Sequence, residues 1–193
     1  MRVPGRSDSG FTLVELLVSS ALVTVVIVVV GGVLVSSMRA DETVRSVTTS
    51  TTDGQLVANV IDGGMRNSTA VAVSTAADGV SSFAVARVAG TSGAECVAWF
   101  YDAEVDTIFR RASPSAIAAP EPGSVGAEWI PLSAGIVPDV DGAGTEYPVL
   151  AAEGSRGLTL RYAVETGSGP SSLFITTITG RAPSTNASPQ CFP

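Results

Sequence analysis

An uncharged run of twenty residues, Leu16 to Val35, lies close to the amino terminus. At 1.5 Å of rise per residue, a helix of this length is about 30 Å long, which is the thickness of a bilayer core. One carboxylate, Glu15, stands at the edge of the run, where burial in hydrocarbon costs about 3 kcal/mol. The run predicts a membrane-spanning helix, and a carboxylate at its edge needs a partner or a function to be retained.

The flanks of the run favour an anchor over a secretory signal peptide. Signal peptides have a shorter apolar core, of about 7 to 15 residues, followed by a small-residue cleavage site, and residues 35–38 match such a site only weakly. Arg2 and Arg6 precede the run and are expected to stay in the cytoplasm. Everything after Ser36 is then predicted to lie outside it.

Residues 10–15, with the sequence GFTLVE, resemble the processing signal of type IV prepilins and type II secretion pseudopilins. The resemblance implies that a prepilin peptidase and methyltransferase cuts between Gly10 and Phe11 and methylates the new amino group of Phe11. It also implies that Glu15 pairs with this amine of a neighbouring subunit, because neither charge is solvated in lipid. An ordinary signal anchor would explain the span but not the carboxylate.

The same resemblance implies an α+β, pilin-like fold, in which a long hydrophobic helix at the amino terminus precedes an antiparallel β-sheet domain. The chain then divides into a cleaved leader over 1–10, a transmembrane or filament-core helix over 11–36, an amphipathic extension over 37–67 and a β-rich domain over 68–193. Threonines between Thr48 and Thr52 weaken the extension, and Asp53-Gly54 could begin a break. Continuity of the helix therefore rests mainly on the resemblance.

Gly31-Gly32 interrupts the apolar run near its outer end. Each glycine costs about 1 kcal/mol relative to alanine inside a helix, so the pair is a natural soft point. One interpretation is a segment that bends or melts when the subunit enters a filament. The other is close helix packing on small residues.

The clearest strand is predicted at 158–165, where an alternating pattern places apolar side chains on one face: Leu158, Leu160, Tyr162 and Val164. A turn at 166–171 and a returning strand at 173–179 complete a hairpin. Further strands are predicted at 69–74, 82–88, 96–101, 107–111 and 129–132, with a surface loop over 113–127.

The chain contains no lysine and no histidine. Their absence removes Ser-His and Cys-His nucleophiles, Ser-Lys dyads, Schiff bases, P-loops and ordinary zinc sites, so we predict neither catalysis nor a cofactor. The net charge is −7, and the arginines beyond the span are spread from Arg39 to Arg181. No direct nucleic-acid ligand is expected. The adjacent pair Arg110-Arg111 is interpreted as a solvated strand end.

Cys96 and Cys191 are the two cysteines. Because the anchor places both outside the cytoplasm, where thiols oxidise, a single disulfide is favoured over two unpaired thiols. Asp139, Asp141 and Glu146 surround two glycines and form a weak candidate for calcium, which some major pseudopilins hold in a late loop. A plain polar turn is the alternative. Residues 102–106, with three alternating carboxylates, are interpreted as a solvated strand-turn face.

Residues 55–67 resemble, loosely, the end of the long helix in J-type pseudopilins and W-type minor pilins. The function indicated is a minor pilin or pseudopilin, a structural and assembly subunit of a type IV pilus or type II secretion-like filament. The alternative is a binding module at a filament tip that recognises a secreted substrate or a surface. Expected partners are other subunits, the prepilin peptidase and an inner-membrane assembly platform. The protein is expected first as a single-pass membrane protein and then in an extracytoplasmic filament.

Overall fold

A computed structural model describes residues 12–90, 93–167, 169–181 and 190–192. Within these residues the structure contains one α-helix, α1, which spans Leu13–Arg66 and precedes all the strands. The described residues up to Val44 and those from Arg45 onwards form two separate units. The predicted fold class is confirmed, since a long apolar helix at the amino terminus precedes an antiparallel β-sheet domain in an α+β, pilin-like architecture.

In the first unit, α1 is apolar on every side. Each leucine, valine and isoleucine from Leu13 to Val35 is 49–77% exposed, and an 18-residue window reaches a mean hydropathy of 2.7. Two of its hydroxyls are bonded to the helix backbone: Ser20 Oγ donates to the Leu17 carbonyl and Thr24 Oγ1 to the Ser20 carbonyl. By length and composition this helix can cross a membrane.

In the second unit, α1 continues without a break through Thr48–Gly54. The hydroxyl of Thr52 donates to the Thr48 carbonyl at 2.8 Å, which is compatible with helix and leaves the backbone ladder intact. One face is buried, at spacings of three and four residues: Ser50, Gly54, Val57, Ile61 and Met65. The break that Asp53-Gly54 could have started does not occur, because this face packs on the sheet domain.

Hydroxyl groups link this helical segment to residues 166–172, which follow the strand predicted at 158–165. Ser46 Oγ donates to the Thr166 carbonyl at 3.2 Å. One turn later, Ser50 Oγ lies 2.7 Å from Ser172 Oγ. Ser50 is fully buried, so its hydrogen bonds replace the water that it loses.

A five-stranded antiparallel sheet has the order β1-β2-β3-β4-β5. Its strands are β1 Ser68–Thr75, β2 Ser82–Gly90, β3 Gly93–Asp102, β4 Thr107–Ser113 and β5 Ile130–Ala134. The face towards α1 carries Trp99 and Tyr101, both fully buried, and joins one core with Ile61 and Met65 of the helix. These strands overlap those predicted from the sequence.

The second sheet contains β6 Ile136–Pro138, β7 Leu150–Glu153, β8 Gly157–Val164 and β9 Ser172–Thr179. All pairs are antiparallel, and β8 lies between β9 on one side and both β6 and β7 on the other. The predicted inward face of β8 is confirmed, because its four apolar side chains are fully buried. Burial raises the pKa of Tyr162, whose hydroxyl donates to the Gly54 carbonyl at 2.8 Å.

The outer face of the five-stranded sheet is also covered, by the segment between β4 and β5 and by the carboxy-terminal residues Cys191 and Phe192. The segment was predicted to be a surface loop, yet Ile117 and the adjoining Trp129 are buried. Arg111 is predicted to be part of a solvated strand end. Its Nη1 lies 3.1 Å from Glu128 Oε1, and its Cζ lies 6.0 Å from the centre of the Trp129 ring. This sheet is therefore the middle layer of the domain.

Asp102 fastens the covering segment to β3. Its carboxylate is fully buried and accepts hydrogen bonds from the backbone N–H groups of Glu104, at 3.0 Å, and Gly123, at 2.9 Å. The prediction of a solvated face is wrong for Asp102, because the covering segment removes its carboxylate from water. The N–H groups of Glu104 and Gly123 replace the hydrogen bonds to water that the carboxylate loses.

Two adjacent glycines at the end of α1 provide a matched test of this packing. A Cβ at Gly64 would lie 2.6 Å from Trp99 Cζ2, whereas one at Gly63 would meet nothing within 4 Å. We expect Gly64→Ala to destabilise the domain by about 1–3 kcal/mol through overpacking. Gly63→Ala should instead stabilise it by about 0.5–1 kcal/mol through helix propensity. Denaturant unfolding of the full chain in detergent, followed by tryptophan fluorescence, measures both, and equal effects would contradict the contact.

Candidate functional site

The predicted functional segment begins where α1 begins. Thr12 precedes the helix, and its Oγ1 accepts a hydrogen bond from the backbone N–H of Glu15 at 3.3 Å, while its carbonyl accepts one from Leu16 at 3.2 Å. Thr12 is thus the N-cap, with a glutamate three residues later. Sequence reasoning missed this role, although threonine followed by glutamate at this spacing is the signal of a capping box.

Glu15 lies in the first turn of α1, and its side chain is exposed beside the apolar surface of the helix. The first turn carries the partial positive charge of the helix dipole, which stabilises a carboxylate by about 0.3–1 kcal/mol. This is too little to offset burial in lipid, at about 3 kcal/mol. The geometry leaves Glu15 able to receive a cation from outside the chain.

Gly10 and Phe11, the predicted cleavage pair, lie outside the described residues. Gly31 and Gly32 lie within α1, which runs through both without interruption, and a Cβ at either would meet nothing within 4 Å. Neither glycine packs against another of the residues that the structure describes. Both interpretations of this pair, bending and close packing on another helix, remain predictions.

The disulfide predicted between Cys96 and Cys191 is present in the structure. Its Cα atoms are 5.4 Å apart, both cysteines are fully buried, and their positions in the sequence differ by 95. Cys96 lies on the outer face of β3, where Phe100 and Trp129 complete a separate cluster. The bond ties the carboxy terminus to the middle of the sheet.

The acidic turn is held by hydrogen bonds to its own backbone and by an ion pair with β8. Asp139 pairs with Arg161 at 2.6 Å, and the Arg161 guanidinium lies 3.5 Å from the centre of the Tyr147 ring. Asp141 accepts hydrogen bonds from the N–H groups of Thr145 and Ala143, which lower its pKa. Within the residues that the structure describes, no group of three or more acidic or sulfur ligands gathers to hold a metal ion. The arrangement is that of a hydrogen-bonded turn.

Comparison with known proteins assigns the amino-terminal segment. Residues 5–35 match the family model of the prokaryotic N-terminal methylation motif. This match supports the class of type IV pilins and pseudopilins, which assemble with other subunits of their kind and are processed by a prepilin peptidase. No curated protein and no solved structure matches the chain significantly.

Proposed function

We propose that this protein is a minor pilin or pseudopilin, a structural subunit of an extracytoplasmic filament related to type IV pili or type II secretion. The observation that carries the proposal is the methylation-motif match over residues 5–35, together with a helix whose apolar residues from Leu13 to Val35 are exposed on all sides. Such a surface needs lipid or other helices as its surroundings. A filament subunit uses both in turn.

Processing is the first step of the proposed mechanism. Arg2 and Arg6 hold the leader in the cytoplasm, which places the carboxy-terminal domain on the opposite side of the membrane. The peptidase cuts between Gly10 and Phe11 and methylates Phe11. The cut leaves an amino group at the start of the apolar helix, four residues before Glu15.

Assembly is the second step. The helices of many subunits bundle in the filament core, and the β-rich domains lie outside it. Within the bundle, the Glu15 carboxylate of one subunit pairs with the Phe11 amine of a neighbour, so both charges are neutralised in an apolar surrounding. An inner-membrane assembly platform would move each subunit from the bilayer into the filament.

Gly10→Val tests the processing step. A peptidase that cuts after glycine must fit a small residue at the scissile bond, so we expect the variant to keep its leader. Mass spectrometry of the membrane-bound protein should show the uncut precursor. Gly5→Val is the matched control, because it makes the same change within the leader and should still be cut before Phe11. Cutting of Gly10→Val at the wild-type position would contradict the proposal.

The minor-subunit assignment, of J or W type, is supported by the size of the sheet domain and by the loose resemblance of residues 55–67. A minor subunit starts or caps a filament that consists mainly of another chain. Quantifying the subunits in purified native filaments tests this assignment: we expect this chain to be scarce, and its being the main component would overturn it.

A further inference from the structure

Hydrogen bonds bring together four distant segments, each carrying an arginine, where α1 passes into β1. Arg66 ends the helix, two residues before Ser68, and the backbone N–H of Arg181 donates to the Ser68 carbonyl at 3.2 Å. Arg87 donates from Nη1 to Thr69 Oγ1 at 3.3 Å. The carbonyl of Arg156 accepts from the N–H of Gly180, the residue before Arg181, at 2.9 Å.

A cleft of about 450 Å³ opens at this junction. It is lined by Gly63, Arg66, Asn67, Thr179 and Arg181. All five residues are exposed, so a solute can reach their side chains. Two guanidinium groups, an amide and a hydroxyl offer many hydrogen-bond donors. Small-molecule sites commonly have volumes of about 300–1,000 Å³.

The charge balance at the cleft is opposite to that of the chain. Asp62 pairs with Arg66 Nε at 2.6 Å, and the carboxyl end of α1 adds about half a negative charge. The guanidinium groups of Arg66 and Arg181 line the cleft beside these charges and outweigh them, in a protein whose net charge is −7. Asp62 pairs with Arg66 at Nε, and the Arg66 side chain remains 73% exposed. The two terminal NH2 groups of its guanidinium are therefore accessible to a ligand.

We propose that this cleft binds a multiply charged oxyanion, the chemistry shared by phosphate esters and polycarboxylates. Arg66 and Arg181 hold its oxygens through charge-assisted, bidentate hydrogen bonds, and Thr179 and Asn67 add neutral contacts. The site is independent of the filament proposal, since it uses no residue of the methylation motif.

Calorimetric titration of the full chain in non-ionic detergent tests this inference with two probes, pyrophosphate and citrate, at constant ionic strength. We expect saturable binding of at least one probe, and which of them binds more tightly distinguishes the phosphate from the carboxylate source. Arg181→Gln should weaken binding about tenfold, the equivalent of one charge-assisted hydrogen bond. Arg66→Gln should weaken it by a similar factor.

Arg110→Gln is the matched control, because it removes the same charge from β4, which does not line the cleft. It should leave the affinity unchanged, and circular dichroism should show that all three variants are folded. The inference is overturned if neither probe binds saturably, if both cleft variants bind as the wild type does, or if Arg110→Gln loses as much affinity as they do.

Discussion

Glu15→Val is expected to leave the cleaved subunit in the membrane and to remove it from filaments. Losing a carboxylate at the edge of the span makes insertion easier by about 3 kcal/mol. In the filament core, however, the Phe11 amine of a neighbour would lose its counter-charge, and removing one partner of a buried pair costs about 3–5 kcal/mol. Separating membranes from sheared filaments and probing both for the subunit measures the two effects.

Glu15→Asp is the control for this variant, since it keeps the carboxylate and shortens the side chain by one methylene. It should enter filaments more readily than Glu15→Val, while both variants are cut before Phe11. Incorporation of Glu15→Val at the wild-type level would show that this carboxylate has no role in assembly.

Cys96→Ser is expected to destabilise the sheet domain by about 2–5 kcal/mol. The disulfide closes a loop of 95 residues, and in the chain-entropy model a loop of this length contributes about 4–5 kcal/mol by restricting the unfolded chain. The carboxy-terminal residues that cover the outer face of β3 would also lose their attachment. Denaturant unfolding of the oxidised wild type and of the variant, in detergent, gives the difference.

Cys191→Ser and the double variant show whether the two sulfurs act as one bond. The second single variant should lose as much stability as the first, and the double variant should lose no more than either, because the bond is already absent. Additive losses, or two freely alkylated thiols in the unreduced wild type, would refute a structural disulfide.

The sequence was sufficient for the elements with strong periodic patterns. The twenty-residue apolar run predicted the helix, and alternation over β8 predicted which side chains point inward. The disulfide was predicted from the expected location of both cysteines outside the cytoplasm, where thiols oxidise, and two cysteines have only one possible pairing. The continuity of α1 through Thr48–Gly54 did not follow from propensity, because packing on the sheets outweighs the weak threonines.

The remaining features depend on contacts between distant segments. β6 is three residues long, and β7 has the sequence LAAE, so neither shows a pattern of period two. Asp102 resembles a solvated acid until the segment containing Gly123 covers it. The cleft between Arg66 and Arg181 could not be predicted from the sequence, because these residues are 115 positions apart. They come together through the hydrogen bond from the Arg181 N–H to the Ser68 carbonyl.

The hydroxyl contacts of Ser46 and Ser50 have a consequence for membrane insertion, which takes place before the domain folds. During insertion, the translocation machinery responds to the hydropathy of each segment, at a time when no tertiary contact exists. Leucines at these two positions could also have packed on the domain, but they would have raised the hydropathy of the segment that follows Arg45. Serines are polar during translocation. Ser50 becomes fully buried, and Ser46 partly buried, only when Ser172 and Thr166 provide hydrogen-bond partners. The end of the membrane segment and the start of the folded domain are thus encoded in one continuous helix without conflict.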